Sequence, residues 1–262
     1  MSTMGLIFAN IYDSSLGELT NKRTMASLPY AGRYRQIDFP LSNMTNAGIR
    51  HIGIITKYNY QSLMNHISSG QEWDLDLGEG GLEFLTPYAM GHNGSYRGKL
   101  EALQTALPVL ERNRNKYVVL ADTTVLCSID FTEVVEQHEA SGCDVTVVAK
   151  RGIADGATVQ PVALKLDGDG KVVDLAMDYA APKDYAVGMS MFVMSREKLI
   201  EIIHELVPHG KYHLERDFLL GYYNDHKIKV NVYQFHNVAL FNENVEQYYN
   251  NSMALLDESV RH

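Results

Sequence analysis

A short basic segment near the start of the chain contains residue types that bind phosphate esters. Residues 19–43 read LTNKRTMASLPYAGRYRQIDFPLSN, with Lys22 beside Arg23, and Arg33 close to Arg35. Paired guanidinium groups on a loop fit the recognition of a phosphate ester, because each guanidinium can donate two parallel hydrogen bonds. The alternative is a solvated basic loop in an acidic protein, where exposed cations contribute little energy. The residues alone leave both interpretations open.

The loop after the first predicted strand is the second place to look for phosphate chemistry. In an α/β sheet this loop can bind phosphate through its backbone N–H groups, and glycines let the backbone approach the ligand. Residues 10–15 read NIYDSS, with no glycine, no cation and one acid, Asp13. We therefore predict an ordinary connecting loop, since its tyrosine and isoleucine side chains obstruct a close approach.

Two other patterns are weaker candidates, in both cases for metal sites. Residues 167–170 read DGDG, but they lack the glycine and bidentate glutamate spacing of an EF-hand loop, so we predict a hairpin turn. His209 and His213 are four residues apart, but Pro208 and Gly210 interrupt any helix that would align them for zinc. The other histidines are scattered, and the sequence picks out no serine–histidine–aspartate set.

Composition excludes several classes of protein. The 262 residues carry 23 Lys and Arg against 32 Asp and Glu, and the formal charge of −9 argues against a nucleic-acid binder. With 45% apolar and 21% charged residues, the chain is typical of globular proteins. The two cysteines, Cys127 and Cys143, form no CxxC pair, which suits a reducing cytosol. No apolar run approaches the roughly 20 residues of a membrane span and no signal peptide is visible, so we expect a cytoplasmic protein.

The elements that must position these residues alternate between strands and helices. Short β-branched runs separated by helical periods predict an α/β fold with a mostly parallel, mixed sheet, in one domain over residues 1–262. Asp130 followed by Glu133 predicts a capping box, and the glycine-rich segment 68–93 predicts a long loop. Predicted strands cover 4–9, 51–56, 117–121, 143–149, 162–166, 171–175, 187–193 and 229–235, and predicted helices cover 41–47, 60–67, 98–110, 131–140, 195–206, 214–224 and 244–256.

The motif in residues 19–43 resembles the signature of bacterial and plant glucose-1-phosphate adenylyltransferases, the ADP-glucose pyrophosphorylases. The similarity continues through NAGIR at 46–50, YRG at 96–98 and QYY at 247–249, so it covers almost the whole chain. The resemblance implies a three-layer, Rossmann-like nucleotidyltransferase domain that joins ATP to glucose 1-phosphate, releasing pyrophosphate with Mg²⁺. It also implies that Tyr96 and Gly98 bind substrate, and that the family's C-terminal left-handed β-helix lies beyond this domain.

The departures from that signature fall on the positions that carry the family's chemistry. Its glycine-rich phosphate loop aligns on residues 10–15, where the glycines are missing. The loss of one transition-state contact commonly costs about 10²–10³ in rate, so the resemblance implies a poor catalyst that does not bind Mg²⁺. Asp122, two residues before Thr124, is the one candidate for a substitute metal ligand. The family's phosphate-loop arginine, catalytic lysine, two metal-binding aspartates and sugar-phosphate lysine align respectively on Ser15, Met25, Thr124, Phe241 and Asp178.

Other family positions are retained. Lys22, Arg35 and Arg112 align where the family binds allosteric sugar-phosphate or nucleotide effectors, although Arg112 also suits a plain cation at a helix end. This combination resembles the D-type modulatory subunit of the two-gene bacterial enzyme, which implies a catalytic homologous subunit as partner in a hetero-oligomer, a tetramer by family expectation. Two alternatives stay open: an active nucleotidyltransferase with a rebuilt metal site, and a sensor that binds ATP or ADP-glucose without turnover.

Overall fold

A mixed sheet of nine strands organises the residues that the computed structural model describes, which are 2–9, 11, 13–76, 80–87, 95–153, 162–177 and 184–260. The strands, in chain order, are β1 (Thr3–Phe8), β2 (Pro29–Tyr30), β3 (Tyr34–Arg35), β4 (His51–Ile55), β5 (Gly81–Leu85), β6 (Tyr117–Asp122), β7 (Val125–Cys127), β8 (Val145–Arg151), β9 (Val162–Leu166), β10 (Val172–Met177), β11 (Tyr185–Ser195), β12 (Val230–Gln234) and β13 (Ala239–Phe241).

Helices connect these strands. The α-helices are α1 (Asp38–Asn46), α2 (Gln61–Ile67), α3 (Lys99–Leu103), α4 (Leu107–Arg112), α5 (Phe131–Ser141), α6 (Arg196–Leu206), α7 (Gly221–Asn224) and α8 (Val245–Ala254). Shorter 3₁₀ segments include Asp13–Thr20 and Gln104–Ala106, and Leu214–Leu220 is a π-helix that runs into α7. Within the described ranges, no helix is long and apolar enough to span a membrane.

The sheet order places the first strand near the centre. The order is β10-β9-β11-β6-β1-β4-β5; β8 pairs with β11, and β12 pairs with β8. Strand β1 lies parallel to β4 and to β6, while β11 is antiparallel to its neighbours. The central strands β1 and β6 are buried along their whole length, as expected for parallel strands covered on both faces. The predicted α/β class with a mostly parallel mixed sheet is confirmed.

Alternation along the central strands divides the core into two layers. In β1, Leu6 and Phe8 belong to one apolar cluster and Ile7 to the other, because successive side chains point to opposite faces. Helices α3, α4 and α6 contribute apolar side chains to the first cluster, whereas α1, α2 and α5 contribute to the second. The sheet therefore lies between two helical layers.

Two of the predicted elements were wrong in kind or extent. The single helix predicted over 98–110 is broken into α3, a 3₁₀ turn and α4, and Pro108 lies at the start of α4 because it cannot donate a helical hydrogen bond. The long loop predicted over 68–93 contains β5, which pairs with β4 in parallel. Most of β5 is only half-buried, so it lacks the continuous apolar run by which buried strands are identified. Residues 77–79 and 88–94 of this segment lie outside the described ranges.

The predicted turn at 167–170 agrees with the structure. The turn at 167–170 joins β9 to β10, and Asp167 Oδ1 accepts hydrogen bonds from the N–H groups of Asp169 and Lys171, each at 2.9 Å. His209 Nδ1 lies 2.6 Å from the carbonyl oxygen of Glu205. No group of three potential metal ligands is found in the described part of the chain.

The predicted capping box of α5 is half correct. Asp130 accepts a hydrogen bond from Thr132 N–H at 2.8 Å and so caps the helix. The Glu133 carboxylate, however, accepts from the Tyr233 hydroxyl at 2.8 Å. The second half of the box is therefore replaced by a tertiary contact between α5 and β12.

Replacing Asp130 with Ala is expected to lower the free energy of unfolding by about 1 kcal/mol, because an N–H at the start of α5 loses its acceptor. Urea denaturation measures the change. The control Glu136→Ala, at an exposed site on the same helix, is expected to stay within about 0.5 kcal/mol of the parent. Equal losses in the two variants would contradict the assigned cap.

Candidate functional site

A cluster of charged side chains lies where the central strands β1 and β6 end. Phe8, the last residue of β1, is paired with Asp122, the last residue of β6. Lys99 begins α3, and its Nζ atom lies 3.2 Å from Asp122 Oδ2 and 2.7 Å from Glu215 Oε1. Ligands of open α/β sheets bind at the carboxyl ends of the strands, so the cluster lies where a ligand site is expected.

The cluster is almost completely buried. The side chains of Lys99, Asp122 and Glu215 are 2%, 0% and 14% exposed. Asp122 Oδ1 accepts hydrogen bonds from the backbone N–H of Thr123 at 2.7 Å and of Thr124 at 3.3 Å. Burial raises the pKa of Asp122, while the Lys99 ammonium and the two N–H groups act in the opposite direction. Both oxygens of this carboxylate thus face donors of the chain itself.

The start of α3 is closed by a neighbouring carbonyl group. The Tyr212 carbonyl oxygen accepts hydrogen bonds from Leu100 N–H at 2.9 Å and from Glu101 N–H at 3.4 Å. A Cβ atom on Gly98 would lie 2.4 Å from that same oxygen. Glycine at this position therefore permits a close backbone contact, which is a structural reason for one of the two predicted substrate-binding residues.

The other residues of the YRG segment also contact the protein itself. Tyr96 is 9% exposed and belongs to the apolar core, and burial raises the pKa of its hydroxyl. The Arg97 guanidinium pairs with Glu101, with Nε 3.0 Å from Oε1, and lies over the Tyr212 ring at 3.5 Å from the ring centroid. In this structure the segment fixes the start of α3.

In the segment where the resemblance predicts the family's phosphate loop, the Asp13 carboxylate accepts a hydrogen bond from the backbone. The 3₁₀ segment Asp13–Thr20 begins with Asp13, which is 2% exposed and accepts a hydrogen bond from Met25 N–H at 2.9 Å. Ser15 lies half-buried within it, and residues 10 and 12 are outside the described ranges. A carboxylate thus occupies the backbone donor at Met25, where the family's catalytic lysine aligns.

A pocket of about 390 Å³ opens beside this segment. Residues between Asp13 and Asn21 line one side of it, and Tyr58 and Asn59 line the other. Its lining residues include an acid and no cation. The neighbouring Lys57 ammonium lies over the Tyr58 ring, 5.2 Å from the ring centroid, and interacts electrostatically with Asp13.

Thr124 and Phe241, the two positions where the resemblance predicts metal-binding aspartates, lie on neighbouring backbone segments. Strand β13 pairs antiparallel with β7, with Phe241 opposite Val125, and Asn242 N–H donates to the Thr124 carbonyl oxygen at 2.7 Å. Thr124 is 0% and Phe241 is 6% exposed. A hydroxyl and a phenyl ring offer no anionic oxygen, and Mg²⁺ prefers such hard ligands, so these residues do not fit a magnesium site. Asp178, which the resemblance places at the position of the family's sugar-phosphate lysine, lies outside the described residues.

Two of the predicted effector residues lie near the start of α2. Lys22 is exposed in the turn after Thr20, and the neighbouring Asn21 carbonyl accepts a hydrogen bond from the Asn59 side chain at 3.1 Å. Arg35 Nη1 donates to the Ser62 hydroxyl at 2.8 Å. Burial lowers the pKa of Arg35, and the nearby Arg23 acts in the same direction. Arg35 is therefore tied to α2, while Lys22 remains accessible.

The third predicted effector residue, Arg112, lies elsewhere. Its guanidinium pairs with Glu83 on the edge strand β5, and Glu83 Oε1 also lies 3.0 Å from His51 Nε2. His51 begins β4, whereas α2 follows the end of that strand. The contacts of Arg112 and of Arg35 are thus at opposite ends of β4.

A family model for nucleotidyl transferases matches residues 6–229 of the chain. The chain belongs to the nucleotidyl transferase family. The crystal structure of a protein described as a glucose-1-phosphate thymidylyltransferase from Bacillus anthracis, in complex with a sucrose, has a TM-score of 0.78 and 18% identity, covering 98% of this chain and 96% of that chain. At this identity the structural match supports the fold alone.

Relatives in sequence carry two names. The glycogen biosynthesis protein GlgD of Geobacillus stearothermophilus is 37% identical over 185 residues, 67% of this chain and 54% of that protein. The GlgD of Bacillus subtilis is 40% identical over 149 residues, 57% and 43% of the two chains. The glucose-1-phosphate adenylyltransferase of Thermotoga maritima is 30% identical over 205 residues, 78% of this chain and 48% of that protein. This nucleotidyl transferase chain spans about half the length of the curated relatives it matches.

The central ion pairs of this nucleotidyl transferase were missed in the sequence. Lys99 and Glu215 are 116 positions apart and belong to no quoted motif. One signal was available: Lys99 opens a helix, where the helix dipole disfavours a cation. A lysine at that place indicates nearby carboxylates, but the sequence does not say which.

Replacing Lys99 with Met is expected to lower the free energy of unfolding by about 3–5 kcal/mol, because the buried Asp122 and the partly buried Glu215 lose their counter-ion. Denaturant unfolding monitored by circular dichroism measures the loss. The control Lys116→Met breaks the exposed ion pair with Glu139 and is expected to have little effect, since water screens that pair. A Lys99→Met variant as stable as the parent would contradict the importance of the buried cluster.

Replacing Gly98 with Ala is expected to destabilise the protein by about 1–3 kcal/mol or more, because the new Cβ would collide with the Tyr212 carbonyl. The matched control is Gly168→Ala in the exposed β9–β10 turn, where an added Cβ meets nothing within 4 Å. Thermal unfolding without any ligand separates the two variants. If Gly98→Ala unfolded at the same temperature as Gly168→Ala, the packing role of Gly98 would be wrong.

Proposed function

We propose that this chain is the nucleotidyltransferase domain of a catalytically degenerate, modulatory subunit of a glucose-1-phosphate adenylyltransferase that acts in glycogen biosynthesis. The observation that carries the proposal is the pair of buried neighbours Thr124 and Phe241 at the positions of the family's metal ligands. Transfer of a nucleotidyl group depends on positioning and on the neutralisation of developing charge. Neither side chain offers an anionic oxygen to bind the metal cation that would neutralise this charge.

Two further residues, Met25 and Asp122, support weak catalysis. Met25 stands at the lysine position, and its N–H is already bonded to Asp13. Asp122, the candidate substitute ligand, is paired with Lys99. Removal of a single electrostatic contact commonly costs about 10²–10³ in rate, and here several are replaced together. These features disfavour an active enzyme with a rebuilt metal site at Asp122.

The names of the relatives support a role in glycogen biosynthesis, and the partner is proposed from the resemblance to the two-gene bacterial enzyme. Two are named as glycogen biosynthesis proteins and others as glucose-1-phosphate adenylyltransferases, so the proposed partner is a catalytic homologous subunit in a hetero-oligomer, a tetramer by family expectation. Lys22, exposed beside the start of α2, is a candidate for effector binding, with Arg35 as a neighbour that shapes the same loop. Arg112 would act at a separate place, because it is paired with Glu83.

The sensor alternative is less well supported. The one charged residue in the described lining of the pocket beside Asp13–Thr20 is an acid, Asp13. Because the nearby Lys57 interacts with this carboxylate, its ammonium is not free to pair with the phosphates of ATP or ADP-glucose. The Tyr96 hydroxyl and the close contact at Gly98 are both turned to the protein interior. Modulation of a partner does not require this pocket to be filled.

The purified protein alone is expected to form ADP-glucose at least about 10²–10³-fold more slowly than a catalytic homologue from the same organism. Mixed with that homologue, it is expected to change the homologue's apparent affinity for substrate or activator by about 5–150-fold, the range of typical coupling between sites. Release of pyrophosphate from ATP, Mg²⁺ and glucose 1-phosphate measures both quantities.

Two outcomes would overturn the proposal. Turnover by the protein alone at the rate of the homologue would show that the chain is an enzyme. Unchanged kinetics of the homologue, in a mixture shown by sedimentation to contain both chains in one complex, would show that assembly carries no modulation. Heat-denatured protein, added in equal amount, is the control for non-specific effects.

A further inference from the structure

Lys99, Asp122 and Glu215 surround a small, largely buried space at the ends of β1 and β6, which we call the cleft. This cleft already contains a positive charge. Lys99 Nζ lies between Asp122 Oδ2 and Glu215 Oε1, at 3.2 and 2.7 Å. It also lies over the ring of Phe8, 5.6 Å from the ring centroid. Carboxylates from β6 and from the π-helix Leu214–Leu220 thus converge on one ammonium group. Such a group of hard oxygen ligands around one centre is what a divalent cation selects.

The Lys99 ammonium is held in this place by the backbone. The Tyr212 carbonyl oxygen accepts hydrogen bonds from the N–H groups of Leu100 and Glu101. These bonds join the first turn of α3 to the segment that carries Glu215, three residues after Tyr212. The Lys99 side chain is 2% exposed, and bulk water therefore does not compete for its protons. A buried charge of this kind persists only when it is paired, and the two carboxylates provide the pairing.

Charge balance decides what else the cleft can take. The ammonium neutralises one of the two carboxylates, and Asp122 receives two further backbone N–H groups on its other oxygen. A divalent cation would have to displace Lys99 from both oxygens and leave an unpaired ammonium in a buried place, which is costly. The same carboxylates would be suitable ligands if the ammonium were absent.

We propose that the Lys99 ammonium is the resident cation of this cleft, where it holds Asp122 and Glu215 together and keeps divalent metal ions out. The cleft is thereby closed to a metal-bound triphosphate by a side chain of the protein itself. This inference concerns the chain alone and holds whether or not the protein modulates a partner subunit. It explains why Asp122, despite its place at the end of β6, is no substitute for the family's metal ligands.

Binding of Mn²⁺ tests the proposal, with free Mn²⁺ measured by electron paramagnetic resonance. The parent protein is expected to bind no Mn²⁺ at this place at millimolar concentration. Lys99→Ala removes the charge and makes room, so it is expected to bind Mn²⁺ at least about tenfold more tightly than the parent. Its thermal midpoint is expected to rise with added Mn²⁺, because a ligand that binds only the folded state stabilises it.

Two control variants connect this gain to the two carboxylates. Lys99→Ala with Asp122→Asn is expected to lose the Mn²⁺ binding, because the metal would lose an anionic ligand. Lys116→Ala removes an exposed lysine paired with Glu139 and is expected to behave as the parent. If Lys99→Ala folds but gains no Mn²⁺ affinity and no stability with Mn²⁺, the proposal that Lys99 excludes a metal is wrong.

A measurement on the parent protein covers the case in which Lys99→Ala does not fold. Mn²⁺ broadens the NMR signals of nearby amides, and the amides of Thr123 and Thr124 donate to Asp122. These signals are expected to stay sharp in the parent at millimolar Mn²⁺, with exposed acidic residues as the internal comparison. Selective broadening of Thr123 and Thr124 would place a metal beside Lys99 and overturn the proposal.

Discussion

The burial of Asp122 at the centre of the sheet is the constraint on which the site depends. A carboxylate with 0% exposure needs compensation for its burial. Its Oδ1 atom accepts hydrogen bonds from two backbone N–H groups after β6, and its Oδ2 atom is ion-paired with the Lys99 ammonium at 3.2 Å. Lys99 in turn requires Glu215, which the π-helical turn Leu214–Leu220 presents. π-helical turns are rare in proteins, and those that do occur are often found at functional sites. Here the turn positions a counter-ion.

Other polar groups near Lys99, Asp122 and Glu215 also form hydrogen bonds within the chain. The N–H of Met25 is bonded to Asp13, and the first free N–H groups of α3 are bonded to the Tyr212 carbonyl. These are groups of the kind that bind ligand oxygens in nucleotide sites. Because the chain itself satisfies them, the folded state does not need a bound ligand to offset their burial.

Sequence patterns predict the layers of the fold better than they predict the site. Strands β1 and β6 are continuous apolar runs, and such runs predict buried parallel strands regardless of tertiary detail. Strand β5 escaped prediction because its half-buried residues include Glu83, whose place on an edge depends on β4 and Arg112. Likewise, Thr124 and Phe241 could be singled out in the sequence through the resemblance to a known family. The contact between Lys99 and Glu215 forms only in the folded chain. Local pattern carries no information about which carboxylate a buried lysine will meet.

The same physical rule explains why the departures from the family signature belong together. A buried carboxylate beside an empty metal position would be left without a counter-charge, and a lysine beside an occupied one would be repelled. Thr124 and Phe241 offer no anionic oxygen at the strand ends, and Lys99 supplies a cation for the buried acid Asp122. An aspartate introduced at position 124 or 241 would therefore add a negative charge close to Asp122, whose charge Lys99 already neutralises. If Lys99 excludes metal ions as proposed, a metal could bind Asp122 only after the ammonium had moved away, because the two cations would compete for one carboxylate.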